Sequence, residues 1–87
     1  MATRRTLPLK TATQLGLMLR AARKAKQMTQ REVASLIGLS QNRVSHLESH
    51  PDELSVRQLL AWSSALGLDI SLGERGQAPL DSEKWEW

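Results

Sequence analysis

Residues 40–46 read Ser-Gln-Asn-Arg-Val-Ser-His. Gln41 and Asn42 each carry an amide that donates and accepts at once. Such a group matches adenine N6 and N7 in a two-bond pair worth about 1–3 kcal/mol of discrimination. Either residue can be the base reader, and an exposed amide that merely caps or solvates is the alternative. Ser45 lies outward beside them on a helical projection. Ser40 can combine capping with a phosphate or base contact. His46 and His50 stand four apart, but no carboxylate and histidine cluster completes a metal site around them. No Gly-rich phosphate loop and no Ser-His-Asp order is present, so the residues argue against an enzyme and against a metal or other cofactor.

The charge distribution supports a polyanionic partner. Residues 1–31 carry eight bases and no acid, whereas residues 32–87 carry four bases and nine acids. The split is therefore +8 against −5, within a net charge of +3. A basic block of this kind suits phosphate, although a solvated basic face has the same composition. Gln30, Lys26, Arg31, Arg43 and His46 are the candidate phosphate contacts. His46 is equally well read as a solvated helix residue, and Arg43 as a surface charge. Arg4 and Arg5 can form an arm toward DNA or remain inert.

These side chains need helices to position them. Leu15, Met18, Leu19 and Ala22 recur with helical period behind Thr13, the expected N-cap. Thr29 and Glu32 form a capping box, and so do Ser55 and Gln58. Between them Val33, Leu36 and Ile37 are the apolar positions of a short helix that Gly38 ends. Ser40 caps the next helix, whose inner residues are Val44 and Leu47. Pro51 ends that helix, and residues 50–54 read as a loop. Val56, Leu59, Leu60, Ser63 and Leu66 mark a last helical stripe ending at Gly67. Trp62 fits either the core or an interface. Leu68, Ile70 and Leu72 then alternate with period two, the pattern of a short strand.

The expected organisation is one domain of 87 residues. Residues 1–12 form a flexible arm, 13–72 the folded domain and 73–87 a flexible tail. No cysteine is present, which fits a reducing compartment. No apolar run approaches the ~20 residues of a membrane span, and the basic start lacks the apolar core of a signal peptide. A cytoplasmic, nucleoid-associated protein is expected.

Two short helices joined by a glycine turn form a helix-turn-helix, and "TQREVASLIGLSQNRVSHLE" resembles that of the Cro/C1-type, or XRE, phage-repressor family. The resemblance spans roughly residues 13–66 and implies a mainly α, lambda-repressor-like bundle of four or five helices. It further implies a homodimer on a palindromic double-stranded operator, a phosphate contact at Gln30, and an ion pair between Arg23 and Glu48.

The stretch "HPDELSVRQLLAWSSALGLDISL", followed by an acidic tail ending Glu86-Trp87, is similar to the end of HipB-type antitoxins. That likeness implies a C-terminal strand, here Leu68, Ile70 and Leu72, pairing across the dimer. It also implies a HipA-like kinase toxin as partner. Two of the three Trp, Trp85 and Trp87, fall in the last three residues. They read as a hook for the toxin or for a protease, with Trp85 a departure from the family pattern. A phage or restriction-control regulator without a toxin is the alternative. A pure protein-interaction module is a third reading.

Overall fold

Four hydroxyls set where the helices begin. Thr11, Thr29, Ser40 and Ser55 each accept a hydrogen bond from the backbone N–H three residues on, at Gln14, Glu32, Arg43 and Gln58. Each bond satisfies a donor that the first turn leaves free. In the computed structural model, which describes residues 7–74, they launch α1 (Ala12–Ala25), α2 (Gln30–Ile37), α3 (Gln41–Ser49) and α4 (Val56–Ala65). A 3-10 turn, Pro51–Glu53, lies between α3 and α4. Glu32 and Gln58 close both expected capping boxes by accepting from Thr29 N–H at 2.7 Å and Ser55 N–H at 2.9 Å.

The first cap differs from the expectation of Thr13. Gln14 decides the start: its Oε1 accepts from Lys10 N–H at 2.8 Å and its Nε2 donates to the Pro8 carbonyl at 2.8 Å. These bonds order the approach to the helix and place Thr11, two residues earlier, at the cap.

Left-handed residues end α1, α2 and α4. Gly38 has φ 74° and Gly67 φ 72°, a region in which a Cβ is disfavoured. Behind Gly67, Leu68 N–H reaches the Ser63 carbonyl at 2.8 Å and Gly67 N–H the Ser64 carbonyl at 3.1 Å, a Schellman closure. The same closure ends α1, with Met28 N–H on the Arg23 carbonyl at 3.1 Å and Gln27 N–H on that of Lys24 at 2.9 Å. There the left-handed position is held by Gln27, with φ 56°.

The core is small. Leu19, Val33, Ala34, Val44, Leu47, Trp62 and Leu66 are buried, with Leu15, Ala22, Met28, Ile37, Leu39, Leu54 and Leu59 packed around them. Ala34 is buried between the helices of the turn, where its single methyl permits close packing. Gly16 serves the same purpose between α1 and α3. A Cβ there would stand 2.7 Å from the Glu48 carbonyl oxygen and 2.9 Å from Pro51 Cγ.

Trp62 is fully buried, which places it in the core. Its indole N–H finds no acceptor among the described residues. The unmade bond costs about 1–3 kcal/mol. Burying some 150–250 Å² of ring at about 25 cal/mol per Å² returns roughly 4–6 kcal/mol, so apolar burial wins.

The inward face of α4 is rotated from the expected stripe. Leu59, Trp62, Ser63 and Leu66 face inward, whereas Val56 is 72% and Leu60 52% exposed. On α2, Leu36 likewise faces outward. Among the described residues no strand forms: Leu68, Ile70 and Leu72 lie in no regular element and are exposed within a single copy. The expected strand therefore has no partner here. Residues 1–6 and 75–87, with Arg4, Arg5, Trp85 and Trp87, lie outside the described residues.

A buried ion pair ties the first helix to the third. Arg23 Nε donates to Glu48 Oε2 at 2.7 Å and its Nη2 to Oε1 at 3.2 Å. Arg23 Nη1 also donates to the Met28 carbonyl at 2.9 Å, pinning the link into α2. Burial by itself pushes the Glu48 carboxyl up. Hydrogen bonds from Arg23 and Gln30, with the positive field of Arg23 and Arg20, outweigh burial and hold it below its ordinary value. A carboxyl depressed in the folded state stabilises the fold above its unfolded pKa, and that contribution is lost as pH falls through the folded value. Glu48→Gln should therefore cost about 1–3 kcal/mol near neutral pH. The gap to the parent should narrow below about pH 4.5. Urea unfolding of both chains from pH 7 to pH 3 measures this, and equal stability at pH 7 contradicts it.

Candidate nucleic-acid interface

The turn at Gly38 sets α3 across α2. Leu39 N–H donates to the Ala34 carbonyl at 3.0 Å, which closes α2 immediately before the Ser40 cap. Val44, Leu47 and Glu48 fix the inner side of α3, and all three are buried. Gln41, Asn42, Arg43, Ser45 and His46 are consequently exposed, together with Ser40. The fold thus presents a polar helix surface with its N-terminal turn open to solvent. A helix of this width enters the major groove of B-DNA, about 12 Å across.

An open depression joins this surface to the start of α2. Arg23, Met28, Thr29, Gln30, Arg31 and Gln41 line it. It brings together three of the expected DNA contacts, Gln30, Arg31 and Gln41. Thr29 and Met28 were not expected in it. The capping box marks Thr29 as the start of a helix but carries no sign of what the start faces. Gln30 is half-buried, and its Nε2 donates to Glu48 Oε1 at 3.1 Å. Its amide is therefore already bound on one side. Arg20 adds a third cation-bearing or amide side chain to this carboxylate, with Nε 3.6 Å from Oε1. The backbone N–H groups at the first turn of α2 and the exposed Arg31 suit an anion.

Two expected phosphate contacts, His46 and Lys26, also have neighbours within the chain. His46 Nε2–H donates to Glu53 Oε1 at 2.9 Å, linking α3 to the 3-10 turn. Its ring stacks on His50, with centroids 4.3 Å apart and planes 12° from parallel. His50 Nδ1–H in turn donates to the His46 carbonyl at 3.1 Å. The His46 hydrogen bond holds the Glu53 carboxyl below its ordinary value, against a smaller opposing effect of burial. The positive field of His46, His50 and Arg43 adds to the lowering. Lys26 lies against the end of α4, its Nζ 3.2 Å from where a Cβ on Gly67 would stand. The C-terminus of a helix attracts a cation, so this position does not depend on a ligand.

Among the described residues, no group of three or more His, Cys, Asp or Glu is placed to hold a metal ion. Among the same residues, no helix is long and apolar enough to cross a membrane.

Comparison with known proteins agrees with the geometry. A family model described as HTH_3, helix-turn-helix, matches residues 19–72. An uncharacterized HTH-type transcriptional regulator, y4dL, of Sinorhizobium fredii (strain NBRC 101917 / NGR234) is 38% identical over 61 residues. That match covers 70% of this chain but only 31% of the regulator, so the chain spans about a third of that relative's length. Among solved structures, a chain of the HipA-HipB-O2-O3 complex superposes with a TM-score of 0.74 at 26% identity. The superposition covers 80% of this chain and 99% of that one. With a turn, a capped outward helix and a family match over most of the folded residues, this chain belongs to the HTH_3 helix-turn-helix family of DNA-binding regulators.

Proposed function

We propose that the chain is a dimeric, operator-binding repressor that serves as the antitoxin of a HipBA-type toxin–antitoxin module. The observation that carries the reading is the exposed N-terminal surface of α3, together with the likeness to a chain of the HipA-HipB-O2-O3 complex. Gln41 or Asn42 reads a base, with Ser40 and Ser45 beside it. Gln30 and Arg31 clamp phosphate, Arg43 adds charge at the flank, and Lys26 and His46 are secondary contacts. Leu68, Ile70 and Leu72 of one copy pair with the same segment of another and bury the apolar edge that a single copy exposes. Two recognition helices then stand roughly 34 Å apart, one turn of a palindromic operator. Trp85 and Trp87 supply rigid apolar area for a HipA-like kinase or for a protease. A second reading is a regulator without a toxin, which shares the DNA-binding part of this proposal; a relative bears the name HTH-type transcriptional regulator.

Selection of bound duplexes from a randomised pool tests the DNA function. The parent chain should enrich a palindrome, with affinity falling steeply as salt rises. Gln41→Ala should relax one position of each half-site by about 1–3 kcal/mol; unchanged preference at every position removes Gln41 as reader. Co-purification with a HipA-type kinase tests the partner. The full chain should retain the kinase, and a chain lacking residues 85–87 should retain it less while binding the same duplex equally. A full chain that never retains the kinase leaves the toxin-free regulator.

A further inference from the structure

Glu48 does more than close an ion pair with Arg23. It is only 4% exposed, and a carboxylate can accept hydrogen bonds but not donate them. Its Oε1 receives Gln30 Nε2 at 3.1 Å, while Oε2 is held by Arg23 Nε at 2.7 Å. An amide facing such a group is selected for one orientation. Turned over, Gln30 would set its own carbonyl oxygen against a buried negative charge. Hydrogen bonds to an ionised acceptor are about twice as strong as neutral ones, so the selection is substantial. One N–H of Gln30 is thereby committed inward. The other N–H and the carbonyl oxygen remain for the depression that Gln30 shares with Thr29, Arg31 and Gln41.

We propose that the charge on Glu48 positions the DNA-recognition surface: it fixes which way round the Gln30 amide faces, and so fixes the donor and acceptor pattern beside Gln41. This rests on the DNA-binding reading of the site. Glu48 is a positioning residue, because it is buried and acts through Gln30. Gln41 can pair with adenine only when its carbonyl faces N6–H and its N–H faces N7. Gln41 lines the same depression as Gln30, so on this proposal an amide held one way round offers Gln41 a fixed neighbour, whereas one that can turn over does not. Neutral Gln at position 48 carries a donor as well as an acceptor, so it no longer bars the turned-over Gln30 amide as a carboxylate does, and base preference should depend on the charge at 48 and not only on its volume.

A double-mutant cycle tests this, using a duplex selected by the parent chain and fluorescence anisotropy at a temperature where circular dichroism shows all chains folded. Gln30→Ala and Glu48→Gln should each weaken binding roughly five- to tenfold, the size of one net hydrogen bond. The double variant should be no weaker than the weaker single, because both remove one device. Glu48→Gln should also relax preference at the base that Gln41→Ala affects. Additive losses, or a Gln30→Ala chain that binds as the parent does, would overturn the proposal. Should Glu48→Gln not fold, NMR of the parent decides. The two side-chain amide protons of Gln30 should shift together with the titration of the Glu48 carboxyl, and their indifference to it would overturn the proposal as well. A parent chain that enriches no sequence removes the DNA reading itself, an outcome distinct from a parent that binds and a cycle that is additive.

Discussion

The structure turns on one buried carboxylate. Glu48 sits on α3, yet its partners come from elsewhere: Arg23 and Arg20 on α1 and Gln30 at the first turn of α2. Arg23 extends the tie to the Met28 carbonyl between α1 and α2. Desolvating such a group is expensive unless its partners are held in good geometry. Packing between three short helices supplies that geometry, and the carboxylate in turn specifies how the helices sit. A core of seven buried apolar residues tolerates several arrangements. A charge that must meet Arg23 and Gln30 together tolerates far fewer. Gly16 belongs to the same design, since α1 must approach the backbone of Glu48 closely for the bonds to form.

Local chemistry was the legible part of the fold. The two capping boxes, Ser40, Gly38 and Gly67 are each decided by a few neighbouring residues, and each reads directly from residue type and spacing. Features set by distant partners were not legible. Thr11 and Thr13 are equally good caps in isolation, and the choice between them lies in the reach of Gln14 back to Pro8 and Lys10. The left-handed turn after α1 carries Gln27 where glycine is usual, so composition gave no sign of it. On α4 two overlapping stripes share Leu59, Ser63 and Leu66. Only the volume of Trp62, seated in the core, selects the stripe that turns Val56 and Leu60 outward.

The same division runs through the candidate site. Outward positions on α3 follow from its inner residues, so the exposure of Gln41, Asn42 and Ser45 was accessible from the sequence. Side-chain commitments were not. His46 carries a hydrogen bond to Glu53 and a stacked neighbour in His50, both set by how the 3-10 turn folds back. Lys26 is drawn toward the end of α4. The period-two pattern of Leu68, Ile70 and Leu72 is a statement about a possible ladder, and a ladder requires a second strand. In one copy those residues form no strand and are exposed, so the pattern alone does not decide the element.

Under the proposed function, the buried Glu48 cluster holds the first turn of α2 and the outer face of α3 as one surface for DNA. Mapping backbone and side-chain amide shifts of the isotope-labelled chain, as a selected duplex is titrated in, tests it most directly. Shifts concentrated at Thr29, Gln30, Arg31, Gln41, Asn42 and Ser45 are the result this account requires. Shifts confined to α4 and residues 68–74, with α3 unmoved, would contradict it.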